Sequence, residues 1–136
     1  MEYNGKKALV CGMARSGIAA AKLLNRLGAG VTLQDMKKRE EISADVLALE
    51  GEGIVLYTGA NPDEIACAQD LIVLSPGIPC DLPFIAAAEN AGIEVISEVE
   101  LAYRLTPCPI TAITGTNGKT TTTTLTGEIM KTAYSG

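Results

Sequence analysis

Short apolar runs alternate along the chain with longer segments that have helical periodicity. Runs rich in β-branched residues predict five strands, over 7–11, 31–33, 54–57, 71–74 and 94–96. Helices are predicted between them over 18–27, 43–50 and 83–91. The run over 71–74 is apolar at every position, which is typical of a strand covered on both faces. This order predicts an α/β fold in which a parallel sheet carries helices on both faces.

The composition changes near residue 106, where two prolines fall within the segment TPCP and indicate a linker. A further apolar run over 110–114 predicts a strand, and a helix is predicted from the following glycine loop to about residue 132. One strand and one helix cannot bury a core of their own. We therefore expect a complete domain over residues 1–106, followed over 107–136 by the first strand, loop and helix of a truncated second α/β domain.

Composition and charge exclude several classes of protein. The chain of 136 residues is 47% hydrophobic, which is too apolar for a disordered chain. Its net charge of −5 disfavours binders of nucleic acid or anionic membranes. It has no histidine, so Ser-His-Asp and Cys-His nucleophiles are excluded within these residues, and its four cysteines form no C-x-x-C pair. The start does not resemble a signal peptide and no apolar run approaches a membrane span, so we expect a cytoplasmic protein.

A glycine loop over 115–121 (GTNGKTT) lies between a predicted strand and a predicted helix, where a phosphate cradle belongs. Its glycines let backbone N–H groups converge on phosphate oxygens. It is shorter than the general phosphate-loop form, because Ile113 holds the position of the first glycine. The alternative is a glycine turn that merely caps the helix. The predicted ATP- and phosphate-binding residues are Gly115, Thr116, Asn117, Gly118, Lys119, Thr120 and Thr121.

A second glycine turn, over 12–17 (GMARSG), follows the first predicted strand and precedes the first helix. This is the position of a dinucleotide-binding fingerprint, and Asp35 closes the second strand near the spacing of a ribose-binding carboxylate. However, Ala14 stands where the middle glycine of the fingerprint would be. Taken alone, the turn leaves three possibilities open: an NAD-type site, a site for another nucleotide diphosphate, and a structural turn.

The two glycine segments together resemble the Mur ligase family. The segment GTNGKTT follows a complete α/β domain, as it does in that family, and residues 12–17 are similar to the turn of the members that add D-glutamate. Residues 71–78 (LIVLSPGI) and 97–101 (SEVEL) resemble segments of the same members. The resemblance covers essentially the whole chain.

The resemblance implies a Rossmann-like, UDP-binding N-terminal domain over 1–106 and the start of a central ATP-binding domain over 107–136. It implies that the substrate's diphosphate lies against Ala14, Arg15, Ser16 and Gly17. Asp35, Met36 and Lys37 are implied to lie near the uracil, with Ser75, Pro76 and Gly77 along the same cleft. Met36 departs from the family's pattern, because it cannot hydrogen-bond as a hydroxyl could.

The resemblance also implies the reaction. ATP and Mg²⁺ convert the alanine carboxylate of UDP-N-acetylmuramoyl-L-alanine to an acyl phosphate, which the amine of D-glutamate attacks. Lys119 and Thr120 are the implied catalytic residues, with Lys119 offsetting phosphate charge and Thr120 helping to hold Mg²⁺. The amino-acid pocket is implied to lie beyond residue 136, so we expect the polypeptide to be inactive alone. The alternatives are another Mur-type amino-acid ligase and an NAD-binding Rossmann module.

Overall fold

A computed structural model describes residues 2–134 of the chain. The strands are β1 (Lys7–Cys11), β2 (Gly30–Asp35), β3 (Val55–Thr58), β4 (Leu71–Leu74) and β5 (Glu94–Ser97). The helices are α1 (Arg15–Arg26), α2 (Ala44–Leu47), α3 (Asp63–Ala66), α4 (Pro83–Asn90), α5 (Glu98–Leu105) and α6 (Lys119–Tyr134). Two 3₁₀ segments, Arg39–Glu41 and Ala48–Glu52, flank α2. The chain divides after Leu105 into two compact units, called unit 1 and unit 2 below.

The five strands of unit 1 form one parallel sheet with the order β3-β2-β1-β4-β5. This is the order of the first five strands of a Rossmann fold. In the register of the central strands, Val10 lies opposite Leu33 on one side and Val73 on the other. The strand order reverses between β1 and β4, so a crevice opens at their carboxyl ends, where open α/β sheets bind ligands.

The core of unit 1 has two layers because alternate strand residues point to opposite faces of the sheet. On one face, Ala8 and Val10 of β1 pack with buried residues of α1, α2 and α5, such as Leu24, Val46 and Leu101. On the other face, Leu9 and Cys11 pack with buried residues of α3 and α4. The predicted parallel sheet with helices on both faces is confirmed.

The limits of β1 and β4 match the prediction, because both runs are apolar and buried apart from the exposed Lys7 that begins β1. α1 begins at Arg15, three residues before the predicted start at residue 18, so the second half of the glycine turn is already helical. The helix predicted over 43–50 forms only as α2 and then continues as a 3₁₀ segment. Ser97, which directly precedes α5, accepts a hydrogen bond from the backbone N–H of Glu100 at 3.1 Å.

Unit 2 differs from the prediction before its helix. The strand expected over 110–114 is wrong: residues 106–118 contain neither helix nor strand. A strand needs a neighbour for its backbone hydrogen bonds, and the described part of unit 2 offers none. The helix α6 is present, runs to Tyr134, and has no buried residue.

None of the helices seen between residues 2 and 134 combines the length and apolar character that crossing a bilayer requires.

Candidate functional site

The turn between β1 and α1 is built around two glycines that no other residue could replace without movement. Gly12 has a φ of +104°, and its N–H donates to the carbonyl of Gln34 at 2.7 Å. A Cβ on Gly12 would lie 2.7 Å from the Ser75 Oγ, and a Cβ on Gly17 would lie 2.0 Å from the Gly12 carbonyl oxygen. The turn is therefore packed tightly against the end of β4 at the crevice.

The N-terminus of α1 opens at this turn and is uncapped. Its N-cap, Ala14, has no side chain that can accept a hydrogen bond, and the first turn contains no acidic residue. The first helical hydrogen bond runs from the Ile18 N–H to the Ala14 carbonyl at 3.0 Å. Within residues 2–134, no protein acceptor pairs with the N–H groups of the three preceding residues, which include the exposed Arg15 and Ser16. Three donors, a helix dipole and a guanidinium can thus meet an anion here.

Asp35 links this turn to the second strand. One of its carboxylate oxygens accepts the backbone N–H of Met13 at 2.8 Å, and the other accepts the N–H of Lys37 at 3.0 Å. The side chain predicted to meet a nucleoside therefore also shapes the turn. A carboxylate can accept about four hydrogen bonds, so acceptor capacity remains for a ligand.

Beside Asp35 lies a cleft of about 430 Å³ between the end of β2 and the segment that follows β4. It brings together three of the predicted residues, Asp35, Met36 and Gly77. Sequence reasoning missed the other lining residues, which are Gln34, Asn61, Ile78, Pro79, Leu82 and Phe84. Among them, Gln34 offered a sequence signal, because it is a polar residue near the end of a strand that is otherwise largely apolar. It is buried, and its Nε2 donates to the Ala60 carbonyl at 2.7 Å.

The remaining predicted residues of unit 1 line neighbouring spaces. Ser75 and Pro76 border a cavity of about 260 Å³ between the ends of β4 and β5. Lys37 borders a small one of about 120 Å³ with Met13. Ser16 lies at the mouth of a largely apolar groove of about 360 Å³ between α1 and α5. Asp35, Met36 and Gly77 thus share one space, whereas Ser75 and Pro76 line a second one and Lys37 a third.

Glu98, the first residue of α5, is a second neighbour of the turn that sequence reasoning missed. Its Oε1 accepts the Ser75 hydroxyl at 2.5 Å. In the sequence, Glu98 lies inside a segment with helix-capping spacing, and nothing local indicates a partner 23 residues away.

In unit 2, residues 115–118 form a loop with two glycines at positive φ, +151° for Gly115 and +76° for Gly118. The ammonium of Lys119 donates to the Gly115 carbonyl, which closes the loop over the start of α6. The first helical hydrogen bond of α6 joins the Thr122 N–H to the Gly118 carbonyl at 2.9 Å. The predicted phosphate-binding residues thus surround one helix N-terminus, which is suited to an anion.

The run of five threonines divides into two groups. The hydroxyls of Thr123 and Thr124 donate to the carbonyls of Lys119 and Thr120, one turn earlier in the helix. In the described chain, the hydroxyls of Thr120, Thr121 and Thr122 have no such partner. Between residues 2 and 134 there is also no cluster of three acidic or cysteine side chains that could hold a metal ion.

The chain is similar in sequence to several known proteins. The family model described as "Mur ligase MurD-like, N-terminal domain" matches residues 6–97. The chain is 47% identical over 133 residues to a UDP-N-acetylmuramoylalanine--D-glutamate ligase of Alkaliphilus metalliredigens, covering 96% of this chain and 29% of that protein. It is 49% identical over 126 residues to the enzyme of the same name from Enterococcus hirae, covering 92% of this chain and 27% of that protein.

A solved structure agrees with these sequence matches. The pseudomurein peptide ligase type C from Methanothermus fervidus superposes with a TM-score of 0.61 at 25% identity, over 96% of this chain and 27% of that one. The chain thus spans less than a third of the length of the relatives it matches.

Proposed function

This chain belongs to the Mur ligase family, in its MurD-like group, and from that membership we propose that it is the N-terminal part of a ligase that adds D-glutamate to UDP-N-acetylmuramoyl-L-alanine. In this proposal unit 1 holds the UDP end of the substrate, and unit 2 supplies the phosphate loop for ATP. Because the chain spans 29% of a relative of that name, the remaining machinery comes from sequence outside these 136 residues.

The observation that carries the assignment of unit 1 is the uncapped N-terminus of α1 at the point where the strand order reverses. The N–H groups of Arg15, Ser16 and Gly17 can donate to a diphosphate, and the Arg15 guanidinium can offset its charge. The neighbouring cleft at Asp35, Met36 and Gly77 is large enough for a flat heterocycle. We assign the diphosphate to the turn and the uracil to this cleft.

The assignment of unit 2 rests on its glycine loop. The Lys119 ammonium has three protons, and only one is committed to the Gly115 carbonyl, so it can also donate to phosphate oxygens. The Thr120 hydroxyl fits a place in the coordination sphere of Mg²⁺. When bound, MgATP would supply the phosphoryl group that activates the substrate carboxylate toward the amine of D-glutamate. Unit 2 alone contributes only binding groups for it.

The proposal also predicts which activities the 136-residue chain has by itself. We expect the 136-residue chain to bind UDP and to form no amide bond, because it spans only 29% of a relative of that name. Because the proposed substrates are nucleotides, we also propose a cytoplasmic location. Amide formation by this chain with both substrates and MgATP would overturn the expectation of inactivity.

Calorimetric titration with uridine diphosphate and with NADH tests the proposed site of unit 1. We expect the chain to bind uridine diphosphate and not NADH. Ser16→Trp fills the mouth of the turn and should abolish binding. Arg26→Trp places the same bulk on the last turn of the same helix and should leave binding unchanged, because both positions are exposed and only Ser16 is at the turn.

Three outcomes would contradict the proposal. Binding of NADH in preference to uridine diphosphate would favour the redox module, and binding of neither would leave the turn with a structural role. Equal binding by Ser16→Trp and wild type, with both proteins folded by circular dichroism, would move the diphosphate away from α1.

A further inference from the structure

The Ser75 hydroxyl has its single proton committed to Glu98. The two oxygens are 2.5 Å apart, and Ser75 is 6% exposed. Since a carboxylate accepts and a hydroxyl carries one proton, the remaining contacts of the Ser75 oxygen are made with its lone pairs. Ser75 therefore does not donate to a phosphate in this arrangement, although the family resemblance implied that it lines the substrate cleft.

The same oxygen lies directly beneath the glycine turn. It is 2.7 Å from the position that a Cβ would take on Gly12 and 3.0 Å from that on Gly17. The backbone N–H of Ser75 also donates to the carbonyl of Cys11 at 3.1 Å, which fixes the residue against the end of β1. Ser75 is thus held by its backbone to β1 and by its side chain to α5, with its oxygen in the space that a Cβ on Gly12 or Gly17 would need.

We propose that Glu98 is a positioning residue for the diphosphate turn: it holds the Ser75 oxygen against Gly12 and Gly17, and so keeps the N–H groups of α1 directed at the ligand. This inference rests on the proposed function of unit 1 for the identity of the ligand. It rests on the structure alone for the link between Glu98, Ser75 and the turn.

The charge of Glu98 makes it possible to distinguish a positioning role from a direct electrostatic role in binding. A carboxylate that borders the same groove as Ser16 repels a bound diphosphate, so it does not serve binding as a charge. The Ser75 hydroxyl needs only an acceptor oxygen from this side chain. Glu98→Gln keeps such an oxygen and removes the charge, whereas Glu98→Ala removes both and leaves a buried hydroxyl free to leave its rotamer.

Uridine diphosphate titrations of five variants test the link. We expect Glu98→Ala and Ser75→Ala each to weaken binding about tenfold, which is the size of one lost hydrogen bond to a charged group. The double variant should bind no more weakly than either single one, because both act through one contact. Glu98→Gln should bind at least as tightly as wild type. Glu100→Ala removes a carboxylate of the same helical turn that pairs with Arg104 instead, and should bind as wild type does.

Amide hydrogen exchange gives a second readout that does not depend on the ligand. The N–H groups of Gly12 and Met13 are bonded to Gln34 and Asp35 in the formed turn. They should exchange faster in Glu98→Ala than in wild type, Glu98→Gln or Glu100→Ala, while amides of β4 stay equally protected in all four.

The two proposals fail in different ways. If the wild-type chain does not bind uridine diphosphate, the proposed function falls, and the exchange rates alone decide whether Glu98 positions the turn. If wild type binds and Glu98→Ala binds equally well, or if the losses of the two alanine variants add, the role of Glu98 is refuted and the proposed function stands. Weakened binding by Glu98→Gln equal to that of Glu98→Ala would also refute it.

Discussion

The carboxylate of Asp35 accepts the backbone N–H of Met13 at 2.8 Å, which ties the end of β2 to the turn that follows β1. In a dinucleotide-binding fold, an acidic residue at this place serves the ribose. Here one oxygen of the side chain holds the turn and the other holds the N–H of Lys37. Its contribution to a ligand comes on top of this structural role.

Asp35→Asn should therefore lower stability as well as ligand binding. The amide offers an NH₂ group where the carboxylate had an acceptor, so one of the two backbone N–H groups loses its partner. We expect the free energy of unfolding in urea to fall by about 1–3 kcal/mol. Asp81→Asn makes the same change at an exposed turn position and should have no effect. Equal stability of the two variants would show that the Asp35 hydrogen bonds contribute nothing.

Gly17→Ala should lower the free energy of unfolding and abolish ligand binding, although alanine in a helix is normally favourable. Its Cβ would lie 2.0 Å from the Gly12 carbonyl oxygen, which is backbone and cannot rotate away. Overpacking of this kind costs about 1–3 kcal/mol or more, and the displaced turn should no longer bind uridine diphosphate. Gly51→Ala is the matched control, since nothing lies within 4 Å of its Cβ. It should be neutral or up to about 1 kcal/mol stabilising in urea unfolding.

The strands of unit 1 could be predicted wherever consecutive residues are apolar, because such a run indicates a strand that is buried on both faces. Residues 8–11 and 71–74 are buried on both faces of the sheet, so their continuous apolar composition marks the two strands. The start of α1 could not be predicted from apolar residues. Its first three residues, Arg15, Ser16 and Gly17, show no apolar periodicity that would indicate a helix. The prediction of a strand over 110–114 was wrong although the local sequence signal was present. An apolar run forms a strand only where a neighbouring strand is available for pairing.

The site could be predicted only as far as it is local. The glycine turn and the phosphate loop are contiguous in sequence, and the structure forms both at helix N-termini. The contacts of Ser75 with Glu98 and of Asp35 with Met13 join residues more than 20 positions apart, and they depend on the order of strands in the sheet. Resemblance to a family supplied Asp35, Met36 and Gly77 of the cleft, but neither the other six lining residues nor the partners that position them.

Cys11 should be inert to thiol reagents in the native protein, in contrast to the other three cysteines. It is fully buried in β1, and burial raises its pKa from 9.0 to about 12, so the reactive thiolate is suppressed. Cys67, Cys80 and Cys108 are exposed. We expect three rapidly reacting thiols at pH 8 and a fourth only after denaturation. A fourth thiol reacting at the same rate in the native protein would contradict the burial of Cys11.

The same pKa shift predicts how stability changes with alkaline pH. The unfolded chain loses the Cys11 proton near pH 9, whereas the native protein keeps it to about pH 12. Above pH 9 the unfolded state binds fewer protons, so the free energy of unfolding falls as pH rises, by up to about 1.4 kcal/mol per pH unit. Cys11→Ala loses packing but lacks this dependence. Between pH 8 and 10 its stability should therefore fall less steeply than that of wild type; parallel slopes would refute the prediction.

Tyr3→Phe should stabilise the protein. The Tyr3 ring is buried in the core layer beneath α1, and within residues 2–134 its hydroxyl is buried without a hydrogen-bond partner. Removing a buried hydroxyl that has no partner removes a desolvation cost, so we expect a gain of about 1 kcal/mol in the free energy of unfolding. Tyr103→Phe is the control: its side chain is 62% exposed, and the loss of a solvated hydroxyl should change stability little. If Tyr3→Phe is instead the less stable variant, the Tyr3 hydroxyl has a stabilising partner in solution, and the core layer beneath α1 contains a polar contact.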